Sequence, residues 1–375
     1  MDRAFDEKLA LTNTDDLLSM AADIRDHSWG RKVTYSRKVF VPLTNMCRDT
    51  CGYCTFVKHP SDPAARIMTP EQVLAQAQKG ARQGCKELLF SLGEKPELRY
   101  EAAKKSLAWL GYERMTDYLA DMCALVLEET PLLPHVNAGT LSEDEIDRLK
   151  PVSASMGMML ETVSRRLGRE GMPHHACPDK TPTQRLRTLE RTGAKNVPFT
   201  TGLLIGIGET WEERIEALHA INAAHRKHRH IQEVIIQNFQ RKPDIAMALH
   251  PEPPLEDMLR TIAAARIILD PEISLQAPPN LHQRHIAYLK AGINDWGGIS
   301  PVTIDFINPQ HDWPEIRTLA ESCASAGFDL VERLTVYPRF IDERSAYLDP
   351  GLTHRIRSMA GQDGLARDQI LEAAE

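Results

Sequence analysis

The chain has 375 residues, 42% hydrophobic and 26% charged, with a net charge of −7, the balance of a globular protein with a large core. The acid excess argues against a nucleic-acid partner, because displacing counterions from phosphates needs a basic surface. No stretch reaches the ~18 continuous apolar residues of a membrane span, and the charged N-terminus lacks a signal-peptide core, so a cytoplasmic protein with no membrane partner is expected.

Residues 1–34 read as an N-terminal helical extension, 35–340 as one barrel and 341–375 as a C-terminal helical tail. Within the middle region, short apolar runs alternate with helical patterns. The runs are 39–43, 87–92, 132–136, 155–160, 198–205, 234–239, 273–277 and 293–296. They are continuous rather than alternating, as strands buried on both faces of a parallel sheet should be. Three intervening helices announce their starts with capping boxes: Thr69 with Gln72, Ser142 with Glu145, and Thr210 with Glu213. Pro70 strengthens the first of them. Eight strand candidates between helices make the expected fold α/β, a (β/α)8 TIM-type barrel, ahead of a doubly wound open sheet. Chemistry in such barrels sits at the C-terminal ends of the strands, so the residues just past each run are the candidates for a site.

Seven cysteines are present, and three of them, Cys47, Cys51 and Cys54, come after the first run with C-x3-C-x2-C spacing. Three thiolates on one loop can hold three irons of a cubane and leave the fourth open, whereas electron-transfer ferredoxins supply four cysteines. A structural zinc site would need a fourth ligand; His59 is nearest, but no second ligand pair comes after it. Cys85, Cys123, Cys177 and Cys323 are scattered and read as buried thiols. The second run ends in Ser91, Gly93 and Glu94, the fourth in Glu161, and the fifth passes through Gly202 and Gly206. Gly206 and Gly208 lack the third glycine of a dinucleotide fingerprint, which disfavours a Rossmann oxidoreductase. Amides at later strand ends (Gln237, Asn238, Asn280) can read a heterocycle edge or serve as loop hydrogen bonds. His174, His175, Asp179 and Lys180 lie in the most polar inter-strand loop, read as substrate-facing or solvated. The basic run 226–230 reads as the solvated end of a helix.

The cysteine triplet, with Tyr53 as the aromatic residue before Cys54, resembles the signature of the radical S-adenosylmethionine (SAM) superfamily. The resemblance implies a [4Fe–4S] cluster on Cys47, Cys51 and Cys54, with SAM on its open iron. It also implies that Ser91, Gly93 and Glu94 lie at the SAM amino group and Glu161 at the ribose hydroxyls. The element from Gly202 through Leu204 and Gly206 would pack the adenine. Longer strings, 40–56, 90–97, 173–180, 198–202, 231–239, 276–280 and 295–303, resemble the first subunit of the deazaflavin (FO) synthase family. Cys177 departs from that family's pattern, which more often has serine.

The family's role implies hydrogen-atom abstraction from a hydroxybenzyl–diaminouracil adduct bearing a ribityl chain, then ring closure and ammonia loss, in coenzyme F(420) biosynthesis. His174, His175, Asp179, Lys180, Gln237, Asn238 and Asn280 become candidates for substrate contacts. The implied partners are a second subunit that supplies the adduct and an electron donor such as flavodoxin or ferredoxin. The alternatives are the partner subunit itself, a tyrosine-cleaving hydroxybenzyl transferase, or a menaquinone-pathway relative.

Overall fold

A computed structural model describes residues 3–367, so residues 1, 2 and 368–375 of the expected terminal extensions lie outside the described residues. Two helices, Arg3–Leu11 and Thr14–Trp29, precede the sheet. The second is pinned by Arg25, whose buried guanidinium donates to the carbonyls of Leu289 (2.8 Å) and Ile293 (3.1 Å).

Nine strands come next: β1 (Lys32–Pro42), β2 (Glu87–Ser91), β3 (Leu133–Asn137), β4 (Ser155–Gly157), β5 (Phe199–Ile205), β6 (Ile231–Asn238), β7 (Ser274–Gln276), β8 (Asp295–Ile299) and β9 (Asp329–Glu332). Strands β1 to β8 pair in sequence order, all parallel, and β1 closes the ring against both β8 and β2. This is the expected α/β TIM-type barrel. Every residue of β5 is buried, as a strand walled on both faces requires.

The three capping boxes form as expected, each hydroxyl accepting from the third helical amide while the third side chain returns the bond. Each aims its helix from a strand end back along the barrel wall, and such a cap is worth about 1 kcal/mol.

Three features depart from the expectation. β1 begins seven residues before its apolar run, because its polar first half pairs with β8 and β9 instead of presenting a continuous apolar face. β9 has no counterpart among the expected strands; its four residues, DLVE, carry too short a pattern to read. It lies outside the ring along β1, from Lys32↔Asp329 to Tyr35↔Glu332. The chain after β9 then crosses the N-terminal end of the barrel, where the Thr335 carbonyl accepts from Ser155 (3.2 Å) and Gln232 (3.0 Å) at the starts of β4 and β6. Finally, His230 in the basic run 226–230 is fully buried against Phe199 rather than solvated, because the chain there turns into β6.

Candidate active site

The loop between β1 and the Pro70–Arg82 helix carries the three cysteines. Asn45 stitches it, its side chain donating to the Ala64 carbonyl and accepting from the Arg66 amide, both at 2.8 Å. The end of β2 runs beneath the loop: Gly93 N–H donates to the Thr44 carbonyl (2.8 Å) and Arg48 N–H to the Glu94 carbonyl (2.9 Å). Only glycine allows that approach, since a Cβ at position 93 would stand 2.0 Å from the Met46 oxygen. The contact delivers the Glu94 amide to Cys47 Sγ at 3.1 Å, and the Asp49 amide reaches the same sulfur at 3.4 Å.

Cys47, Cys51 and Cys54 all line one cavity of about 300 Å³ at the C-terminal end of the barrel. The same cavity is lined by Tyr53, Ser91, Gly93, Glu94 and Glu161. Backbone N–H donors to sulfur, three thiols on one wall and, among the described residues, no fourth thiol on that wall suit a site-differentiated iron–sulfur cluster; such donors also tune a cluster's potential. Cys177 is the one neighbour, its Sγ 3.8 Å from that of Cys51, outside the cavity lining. His59, the zinc alternative's nearest ligand, is exposed, bonded to Ser61 (2.8 Å) and not part of the lining of the cysteine cavity.

Glu94 and Glu161 are both buried and differ in charge preference. Glu94 accepts from the Thr140 amide (2.6 Å) and hydroxyl (2.5 Å) and pairs with Arg185 at 3.4 Å. Asp49, Glu94 and Asp179 each bring a carboxylate oxygen within 4.8 Å of the others. Burial, with the Asp179 and Asp49 charges and against the pull of Arg185, pushes Glu94 up to about 7. Burial alone would raise Glu161 too, but Lys180 (2.5 Å), His174 (3.0 Å) and Arg185 hold its carboxyl well below the usual range. Glu161 also sits at φ +65°, a left-handed conformation that side chains rarely adopt. It is fixed there by its backbone N–H, which donates to the Gly202 carbonyl (2.8 Å), and by Tyr53, whose hydroxyl donates to its carboxylate.

The remaining candidates divide. Lys180, Gln237 and Asn238 line the cavity. His174 stands behind the wall, between Tyr53 and Glu161. His175 is exposed, because the loop turns it outward. Asp179 is engaged by Arg48 and anchors the cysteine loop. Asn280 lies in a separate recess, donating to Asp305 at 3.0 Å. Gly202 and Gly206 flank Leu204, which does line the cavity; a Cβ at either would strike β6 (Ile235 O, 2.2 Å) or Pro253 (2.5 Å). Met156 and Met158 are core, whereas Met159 lines the cavity. Arg185 and Thr140, which hold Glu94, escape sequence reading because a lone Arg or Thr on a helix or loop carries no pattern.

Comparisons with known proteins bear on the family and on the fold. The radical SAM superfamily profile matches residues 41–221. A 7,8-didemethyl-8-hydroxy-5-deazariboflavin synthase of Methanopyrus kandleri is 46% identical over 337 residues, covering 89% of this chain and 100% of that protein. The chain belongs to the 7,8-didemethyl-8-hydroxy-5-deazariboflavin synthase family of the radical SAM superfamily. An FO synthase of Mycobacterium tuberculosis is 47% identical over 371 residues; the match covers 94% of this chain and 43% of that protein, so the chain spans less than half of its length. The crystal structure of methylornithine synthase shares the fold, with a TM-score of 0.68 at 17% identity, covering 87% of this chain and 93% of that one. Among the described residues of this deazariboflavin synthase family member, no helix is long and apolar enough to cross a membrane.

Proposed function

We propose that this chain makes 7,8-didemethyl-8-hydroxy-5-deazariboflavin (FO) by radical chemistry on a hydroxybenzyl–diaminouracil adduct bearing a ribityl chain, releasing ammonia as a carbon–nitrogen lyase. The observation that carries the reading is the single cavity on which the cysteine triplet, Glu94, Glu161 and Tyr53 converge, in a chain that matches the whole of a relative bearing that name.

In this reading Cys47, Cys51 and Cys54 hold a [4Fe–4S] cluster, and Glu94, Glu161 and Leu204 hold SAM. When bound, the cluster and SAM supply an electron and a 5′-deoxyadenosyl radical that takes a hydrogen atom from the substrate. The chain's own residues bind and shield. Glu94, with Ser91 and Gly93 beside it, receives the SAM amino group, and Glu161, kept ionised by Lys180, receives the ribose hydroxyls. Arg185 pairs with Glu94 and Arg48 with Asp179, which offsets two of the three clustered carboxylates and leaves charge for one cation beside them. Leu89, Met159 and Phe239 form apolar walls. Excluding water there protects a reactive intermediate, and a fixed substrate carbon converts encounter into orientation.

The partners fit the same reading: a second subunit or domain supplying the adduct, and a flavodoxin or ferredoxin supplying the electron, in the cytoplasm. The barrel of 35–340 would be the catalytic unit and the helical ends its additions. The test is anaerobic cluster reconstitution, then incubation with SAM, reductant and either the preformed adduct or tyrosine plus diaminouracil. Fluorescent deazaflavin from the adduct alone supports the reading; consumption of tyrosine overturns it in favour of the partner subunit's reaction.

A further inference from the structure

A second cavity of about 170 Å³ lies below the first, inside the barrel. Phe40, Leu89, Asn137, Met159 and Gln237 line both, so the two form one chamber running from the cysteine loop towards the N-terminal end. A TIM-barrel interior is ordinarily filled by layers of bulky branched side chains. Here the lower level carries Lys38, Glu87, His135, Glu233, Gln276 and Arg333.

Room for them is made by glycine. A Cβ at Gly157 would stand 2.9 Å from His135 Nε2, one at Gly297 2.1 Å from Gln276 Nε2, and one at Gly298 2.1 Å from Lys38 Cε. The cations are already matched. Lys38 pairs with Glu87 at 2.7 Å, and Arg333 pairs with Glu233 (2.9 Å) and Asp295 (2.6 Å). The remaining carboxylate of the lining, Asp305, has no cation among the described residues but accepts from the side-chain amides of Asn280 (3.0 Å) and Asn308 (3.2 Å); the groups left without any partner are neutral. Among the described residues, the side-chain amides of Asn137, Gln237 and Gln276 have no hydrogen-bond partner, and neither has His135 Nε2. Gln276 is only 7% exposed and His135 6%. Buried polar groups in folded proteins are nearly always bonded, so a row of unbonded amides facing one chamber asks for a ligand that brings its own donors and acceptors.

We propose that the lower chamber seats the polyhydroxy chain of the substrate: Asn137 and Gln237, at the junction, read the edge of the heterocycle, while Gln276, His135 and the Lys38–Glu87 pair bind the hydroxyls below. The inference rests on the function proposed above and adds the orientation. An anion would find no unpaired cation here, and an apolar tail would strip water from the ion pairs without replacing it. Hydroxyls both donate and accept, which matches interleaved amides and carboxylates. The reacting carbon is thereby left in the upper chamber, beside the cysteine loop.

The test compares two ligands, the ribityl adduct and an analogue with methyl in place of ribityl, by anaerobic calorimetry on the reconstituted protein with SAM and no reductant. Gln276→Leu should weaken the adduct by about tenfold, the worth of one or two hydrogen bonds, and leave the methyl analogue unchanged. Asn137→Leu should weaken both. Gly298→Ala, whose methyl displaces the Lys38 stem, is the second variant should Gln276→Leu fail to fold, with the same expected selectivity. Equal loss for both ligands with Gln276→Leu or Gly298→Ala overturns the proposal, as does a methyl analogue that binds wild type as tightly as the adduct. Wild-type turnover is scored apart. A wild type that binds the adduct with this selectivity but makes no deazaflavin refutes the reaction and supports the seat; one that does not bind the adduct refutes both.

Discussion

Gly93→Ala is the smallest change that should disable the site. The added carbon would lie 2.0 Å from the Met46 oxygen, 2.6 Å from its carbonyl carbon and 2.8 Å from Cys47 Cβ. Relaxed contact between such atoms needs roughly 3.5 Å, so the cysteine loop must retreat by more than about 1 Å. Two of the obstructing atoms are backbone and cannot rotate away. Overpacking of this kind costs about 1–3 kcal/mol, and the retreat withdraws the Glu94 amide from Cys47 Sγ. The assay is iron and sulfide per chain after anaerobic reconstitution, with the apo protein's melting temperature alongside. The expected result is a melting point several degrees lower and a loss of most of the iron. Gly168→Ala, where nothing lies within 4 Å, should behave as wild type. A Gly93→Ala protein that holds a full cluster and melts with the Gly168→Ala control would refute the reasoning.

Other consequences are as direct. Arg333→Met strands Asp295 and Glu233 in the barrel interior and should lower stability by about 3–5 kcal/mol, measured by denaturant unfolding. Burial, with help from Lys38 and Arg333 and against Glu87, depresses His135 to about 4 from an ordinary 6.5. A depressed base contributes stability that is present above pH 6.5 and lost as pH falls through about 4, here about 3 kcal/mol. His135→Phe should therefore flatten the acid limb of the stability curve over that window; an unchanged limb would remove His135 from the account. Thr210→Ala deletes the cap of the Trp211–His228 helix and should cost about 1 kcal/mol, read as a lowered unfolding midpoint. Cys177→Ser should keep the same iron content per chain; a halved content would make Cys177 a ligand.

The barrel is legible because its strands are walled on both sides, so runs such as 198–205 carry no charge, are mostly apolar and need no partner to be recognised. The caps are legible because Thr69, Ser142 and Thr210 bond within four residues of themselves. The upper part of the site, at the strand ends that carry the cysteines, Glu94 and Glu161, comes from the same strand positions. The lower chamber does not. Lys38, Glu87 and His135 stand beside or within apolar runs, but nothing local says that charges 49 residues apart, Lys38 and Glu87, meet inside the ring. Arg333 arrives from beyond the ninth strand, whose four residues show no period, and Gly157, Gly297 and Gly298 reveal their purpose only when the side chains opposite them are placed.

The central claim is hydrogen-atom transfer from the adduct. The most direct measurement is mass spectrometry of 5′-deoxyadenosine formed by the reconstituted protein from SAM and an adduct deuterated at the benzylic carbon. The account predicts 5′-deoxyadenosine carrying one deuterium, appearing together with the fluorescent deazaflavin. No 5′-deoxyadenosine above the level of a substrate-free control would contradict it.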